Sequence, residues 1–174
     1  MRDAGFGRNL ETVFGTWDRK FHPLARGPLA SVELNGEKDE VTFTFEDGSR
    51  AIYGVEGDCC SHSWVEHLEI VGDVKGAKVV EVSENTEDAT KDDTKNPLEA
   101  KERYRGESDE AFAEREPDRE HESLQVYQTT FKTDRACVIT IEYRNSSNGY
   151  YGGNLTAPRI VEPDGTSTQF DEYG

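Results

Sequence analysis

No stretch of this 174-residue chain is apolar enough or long enough to cross a membrane as a helix. Basic residues are scarce, with 20 lysines and arginines against 36 acids and a net charge of -16. Binding to a nucleic-acid backbone needs clustered Lys and Arg, so it is not expected. Cysteines number only three, and an odd count argues against a disulfide framework. The first nine residues hold no apolar core of a secretory signal, so the expected location is cytoplasmic, with reduced thiols. Walker loop, Rossmann glycine pattern, GxSxG elbow, HExxH and repeats of solenoid period are all missing. Hydrophobic content is low at 33%, which suggests a compact domain carrying a solvated acidic segment.

What is present is β-pattern. Residues 29–35 alternate, with Leu29, Val32 and Leu34 apolar, and Asn35-Gly36 signals a tight turn. Residues 40–45 place Val41, Phe43 and Phe45 on one face and Thr42 and Thr44 on the other. Asp47-Gly48 makes a second turn into a strand with Ile52 and Tyr53. Residues 64–71 read as a fourth strand, with Trp64, Glu66, Leu68 and Ile70 sharing a face, and 77–82 as a fifth. After a long polar interval, 123–132 and 136–144 resume the pattern, with Ile139, Ile141 and Tyr143 on one face. An edge strand is expected at 159–162, before the turn Pro163-Asp-Gly165.

The polar interval, 84–122, carries about half of the net negative charge. Asn96-Pro97 and Ser108 look like helix starts, and Leu98, Tyr104 and Phe112 like its anchors. At the other end of the chain, Asn9 could cap a short helix through Leu10, Val13 and Phe14. The expected organisation is one domain over 1–174: a lead-in (1–27), a β core (28–83 and 123–162), an acidic insertion (84–122) and a tail (163–174). The expected fold class is α+β, mainly β. It has a single curved antiparallel sheet, meander plus hairpin and partly closed, with a short N-terminal helix and a partly helical insertion.

Two dense stretches carry the candidate chemistry. Gly57-Asp-Cys-Cys-Ser-His-Ser-Trp64 brings together Cys59, Cys60, His62 and Trp64, followed by Glu66 and His67. Adjacent cysteines on a strand point to opposite faces, so a metal would need one thiol plus His62 or His67, and none is expected. Two other readings stay open: one thiol buried as a small hydrophobe, or a nucleophile activated by a histidine. Trp64 and Glu66, two apart on a strand, share a face and could form one wall of a pocket, the other reading being a surface acid beside a half-buried aromatic. Residues 145–153 read as a turn in which Asn148-Gly149 supplies positive φ and Gly152-Gly153 permits a close approach. Asn148, Tyr150 and Tyr151 would suit a nucleotide or sugar. The expected ligand-binding set is therefore Cys59, Cys60, His62, Trp64, Glu66, Asn148, Tyr150 and Tyr151, with no catalytic residue and no cofactor.

Gly57-Asp-Cys-Cys-Ser-His-Ser-Trp64 and Tyr143-Arg-Asn-Ser-Ser-Asn-Gly-Tyr-Tyr-Gly-Gly153 together resemble the two motifs of a family of small uncharacterised proteins. That family is common in bacteriophages, especially those of actinobacteria. The resemblance covers about residues 28–83 and 123–155 and implies an architecture and a phage source, with the host cytoplasm as the location, but no reaction. The expected function is a phage accessory protein that binds and modulates a host or defence protein, through a partner with a basic surface. Sequestration of a nucleotide-like small molecule at the Cys-Cys and Tyr-Tyr loops, and a Cys/His enzyme, are the alternatives.

Overall fold

The computed structural model describes residues 19–149 and 152–170. The helix expected after Asn9 lies outside them. A 3-10 helix, Arg19–Arg26, leads in, and Gly27 (φ 130°) turns the chain into the first strand. Ten strands follow: β1 (Leu29–Leu34), β2 (Glu40–Phe45), β3 (Arg50–Gly57), β4 (His62–Val71), β5 (Val79–Asp88), β6 (Ser123–Thr133), β7 (Val138–Ser147), β8 (Gly153–Leu155), β9 (Arg159–Val161) and β10 (Ser167–Gln169).

These strands form two antiparallel sheets, not the single curved sheet expected, and neither closes into a barrel. One has the order β1-β2-β3-β9-β10, with β8 also on β3; the other has the order β4-β7-β6-β5. The physical reason is a corner. β3 ends at Gly57, the Cys59-Cys60 turn reverses the chain, and β4 starts in the other sheet. Local alternation in β3 and β4 is the same whether the strands share a sheet or face each other, so sequence pattern cannot separate the two arrangements.

The two inner faces make one core. Phe43 of β2 meets Tyr53 edge-on at 5.6 Å and Phe131 of β6 at 5.0 Å, which joins the sheets through ring contacts. Val41, Phe43, Phe45, Ile139, Ile141 and Tyr143 are buried as their alternation predicts. Leu24 of the 3-10 helix is also fully buried and belongs to the same core.

Several local expectations are corrected. The β1–β2 loop spans five residues. Asn35 Oδ1 accepts the N–H groups of Asp39 and Glu40 at 3.1 and 3.0 Å, and Lys38, not Gly36, has positive φ (59°). The strand at 159–161 is not an edge: β9 lies between β3 and β10. β7 runs on through Ser147, so the turn begins only at Asn148. β5 continues to Asp88, taking the first five residues of the stretch assigned to the insertion into the sheet.

The rest of the insertion is mostly loop. It contains one short helix, α1 (Asp109–Glu114), whose N-cap Ser108 Oγ accepts the Ala111 N–H at 3.2 Å. No helix follows Asn96-Pro97. Leu98 and Tyr104 are exposed (48% and 54%), so neither anchors the segment. Its anchor is polar. The fully buried Asn96 donates to the carbonyls of Thr90 (2.8 Å) and His121 (2.9 Å) and accepts the His121 N–H (2.9 Å). Losing three buried hydrogen bonds should cost about 2–3 kcal/mol locally. Asn96→Ala is therefore expected to speed amide exchange in residues 89–122 by about 50-fold or more, while β6 and β7 keep their protection. Unchanged exchange in the insertion would mean that Asn96 does not hold it.

Candidate functional site

The corner where the chain changes sheets is built from both dense stretches. Gly57 pairs with Gly153 and Glu56 with Asn154. Ser63 Oγ donates to the Glu56 carbonyl (3.0 Å) and accepts from Asn145 Nδ2 (2.9 Å), a buried link from β3 across β4 to β7. Asp58 N–H and Ser61 Oγ both reach the Gly152 carbonyl at 3.4 Å. A Cβ on Gly153 would lie 2.6 Å from Ser63 Oγ and 2.9 Å from Asn145 Cβ, so only glycine fits there. These motif residues therefore work as a structural joint.

Beside the joint, on the outer face of the four-stranded sheet, lies an open groove of about 420 Å³. Its wall is a row of rings: His62 stacks on Trp64 at 5.4 Å, and His121, arriving from the insertion, lies 5.6 Å beyond. Trp64 is half-buried because its inner side packs on Ala89, Leu124 and Val126, a small second core beneath the insertion. Its indole Nε1 donates to Glu66 Oε2 at 2.7 Å. The other Glu66 oxygen is 4.0 Å from Arg144 Nη1, and Arg144 in turn donates to Glu142 through Nε (3.1 Å) and Nη2 (2.9 Å). Lys95, also at the groove, is bound by Glu87 at 2.7 Å and by Asp92 at 3.6 Å.

A bulge in β4 makes this geometry. Val65 pairs with Tyr143 and His67 with Glu142, so Glu66 is the extra residue. Trp64 and Glu66 stay together on the outer face, while Leu68 and Ile70, opposite Ile141 and Ile139, swing to the inner one. The expected shared face of Trp64, Glu66, Leu68 and Ile70 is thus broken after Glu66.

Of the expected ligand-binding set, the structure brings His62, Trp64 and Glu66 into one groove. Cys59 and Cys60 sit on the exposed turn, Cys60 with φ 69°, and the buried thiol is Cys137 instead. Asn148 is exposed at the end of β7, and Tyr150 and Tyr151 lie outside the described residues. Among the described residues no group of three metal-ligating side chains converges.

The family model described as a domain of unknown function (DUF7448) matches residues 19–157. The chain belongs to that family. The matched span takes in β1 through β8, the joint and the groove, and runs across the acidic insertion. It is thus wider than the span over which the two motifs suggested a resemblance. No curated protein and no solved structure matches the chain.

In this family member, sequence reading missed Lys95, Glu120, His121 and Arg144 as groove residues. Arg144 pairs directly with Trp64 in the sheet, so correct strand register would have found it. His121 and Lys95 had no such signal, because a loop of more than twenty residues separates them in sequence while Asn96 joins them in space.

The Trp64 hydrogen bond is the main cause that holds the Glu66 carboxyl below its ordinary range, followed by the nearby Arg144, His67 and Lys38 charges, with partial burial opposing. A folded-state pKa that is depressed adds stability above the unfolded value and loses it as pH falls through the folded value. The Trp64 indole N–H signal in NMR is therefore expected to stay constant on acidification until pH drops below the usual glutamate value of about 4.3, then to shift. A midpoint at or above that value would sink the bond as the cause.

Proposed function

We propose that this protein acts by binding rather than by catalysis, and that the outer face of the β4-β7-β6-β5 sheet holds a partner protein with a basic surface. One observation carries the reading: an aromatic groove lies at one end of a sheet face rich in carboxylates. Across the strands the outward rows are Trp64, Arg144, Val126 and Glu87; His67, Glu142, Gln128 and Asn85; Glu69, Thr140, Thr130 and Ser83. Residues paired directly across an antiparallel sheet share a face. A second open groove, of about 540 Å³, lies along the same face beside His67, Gln128 and Glu142. The outer face of a sandwich is ordinarily polar, and a half-buried tryptophan there, in a groove with Glu66 and Glu120, suits a protein surface better than water alone. A nucleotide's phosphates would be repelled by the same carboxylates.

His62 stacks on Trp64, which supports a recognition role for its ring in preference to activation of a thiol. The motif resemblance supports a phage accessory protein acting on a host or defence protein in the host cytoplasm. The insertion's charge is less free for steering than its composition suggests. Glu107, for example, is tucked against Arg115 at 2.9 Å with its side chain 9% exposed.

Photo-crosslinking in expressing cells tests the reading. A crosslinker at Gln128 or Thr140 is expected to capture a protein with a basic surface, and one at Thr44 on the other sheet is not. Equal capture from both positions would refute the outer face as the binding surface. For the captured partner, Glu69→Gln with Glu81→Gln, the latter opposite Lys132 on the next outward row, should slow association by roughly three- to ten-fold at low salt and change dissociation little.

A further inference from the structure

The Trp64 groove, counted with the carboxylates that bind its cations, carries an excess of negative charge. Its two cations are already committed, Arg144 to Glu142 and Lys95 to Glu87 and Asp92. Glu66 and Glu120 line the groove itself, so with the carboxylates that bind its cations there are five, against Arg144, Lys95 and, acting on Glu66, Lys38. Carboxylates crowded beside aromatic faces are an electrostatic sink for one more cation.

The same chain shows what fills such a sink. In the insertion, the Arg115 guanidinium lies 4.1 Å from the centre of the Tyr104 ring and pairs with Glu107 at 2.9 Å and Asp118 at 3.3 Å. The Trp64 groove repeats these parts, an aromatic wall with two carboxylates, and among the described residues no cation sits over its indole. From this we infer that the groove is a socket for one arginine side chain of a basic protein partner. The inference rests on the binding reading above and names the chemistry of its contact.

Arginine fits better than lysine for two reasons. The guanidinium is planar and can lie flat against a ring of the His62, Trp64 and His121 row, where an ammonium makes only a point contact. Its fork of donors can also serve two carboxylates, and Glu66, at the Trp64 Nε1, and Glu120, 3.9 Å from His121, both line the groove. A neutral ligand of the same shape gains neither the cation–π attraction nor the ion pairs.

Three capped peptides of equal length test the socket: a Gly-Ser background carrying three arginines, three lysines or three citrullines. The readout is the Trp64 indole N–H signal of the full chain, assigned by comparison with Trp17→Phe. At low salt the arginine peptide is expected to shift this signal and to bind about fivefold or more tighter than the lysine peptide. The citrulline peptide should leave it unmoved. Glu66→Gln with Glu120→Gln should abolish the arginine preference. Trp64→Ala should do the same, and Trp64→Phe, which keeps the packing on Leu124 and Val126, should retain part of it. Equal binding of arginine and lysine peptides with Trp64 unmoved would overturn the socket and leave the acidic face standing as a binding surface. Failure of every peptide to bind also overturns the socket. Crosslinking from Gln128 then decides the broader reading by itself.

Discussion

Replacing Phe43 with alanine is expected to lower the unfolding free energy by about 4 kcal/mol, since a buried Phe→Ala change in a close-packed core costs about 3–5 kcal/mol. Phe43 is fully buried and contacts Tyr53 in its own sheet and Phe131 in the other. Its loss therefore empties the space between the sheets at a ring that contacts aromatic neighbours in both. For a chain of this size, thermal unfolding should move down by about 10 °C. Phe43→Leu, which refills most of the volume, should recover more than half of that loss. A shift of under about 3 °C for the alanine variant would mean that the two sheets do not share this core.

The second large effect concerns a residue with no side chain. Gly153→Ala is expected to cost about 3 kcal/mol, or roughly a hundredfold in the folding equilibrium. The new methyl group would stand 2.6 Å from Ser63 Oγ and 3.2 Å from Asn145 Nδ2, both held in the buried link between the sheets. Ser63 is also tied to the Glu56 carbonyl, so it cannot step aside without breaking a second hydrogen bond. Gly36→Ala is the matched control. Nothing lies within 4 Å of its Cβ position and its φ is not positive, so the same chemical change there should be neutral or slightly stabilising. Equal stability of the two variants, measured by urea unfolding, would show that the joint is loose and that the second motif is conformationally free.

These two positions mark the boundary of what could be read in advance. Phe43 announced itself, because Val41, Phe43 and Phe45 alternate with threonines and such a period leaves one face to be buried. Ile139, Ile141 and Tyr143 did the same. Gly153 read as part of a turn, and its partner Asn145 read as the turn's first residue. Asn145 is instead a fully buried strand residue. Polar residues carry no periodic signal when they are buried for a hydrogen bond rather than for their surface, and Asn96, the anchor of the insertion, was hidden for the same reason.

The candidate site divides along the same line. Trp64 and Glu66 were legible as a pair because two residues on one strand face need no knowledge of the rest of the fold. The extent of their shared face was not, since the bulge after Val65 is a one-residue register shift that leaves composition unchanged and reverses every side chain beyond it. By itself, the sequence determined where eight of the ten strands lie, which faces of β2 and β7 are apolar and where the excess acid lies. These follow from short-range period and charge. That the two motifs meet was expected from their composition, but tertiary structure alone decided that the strands form two sheets, that Ser63, Asn145 and Gly153 are the residues that join the motifs, and that His121 and Lys95 stand beside Trp64. Each of these depends on contacts between residues far apart in the chain, and local pattern is the same whether or not such contacts are made.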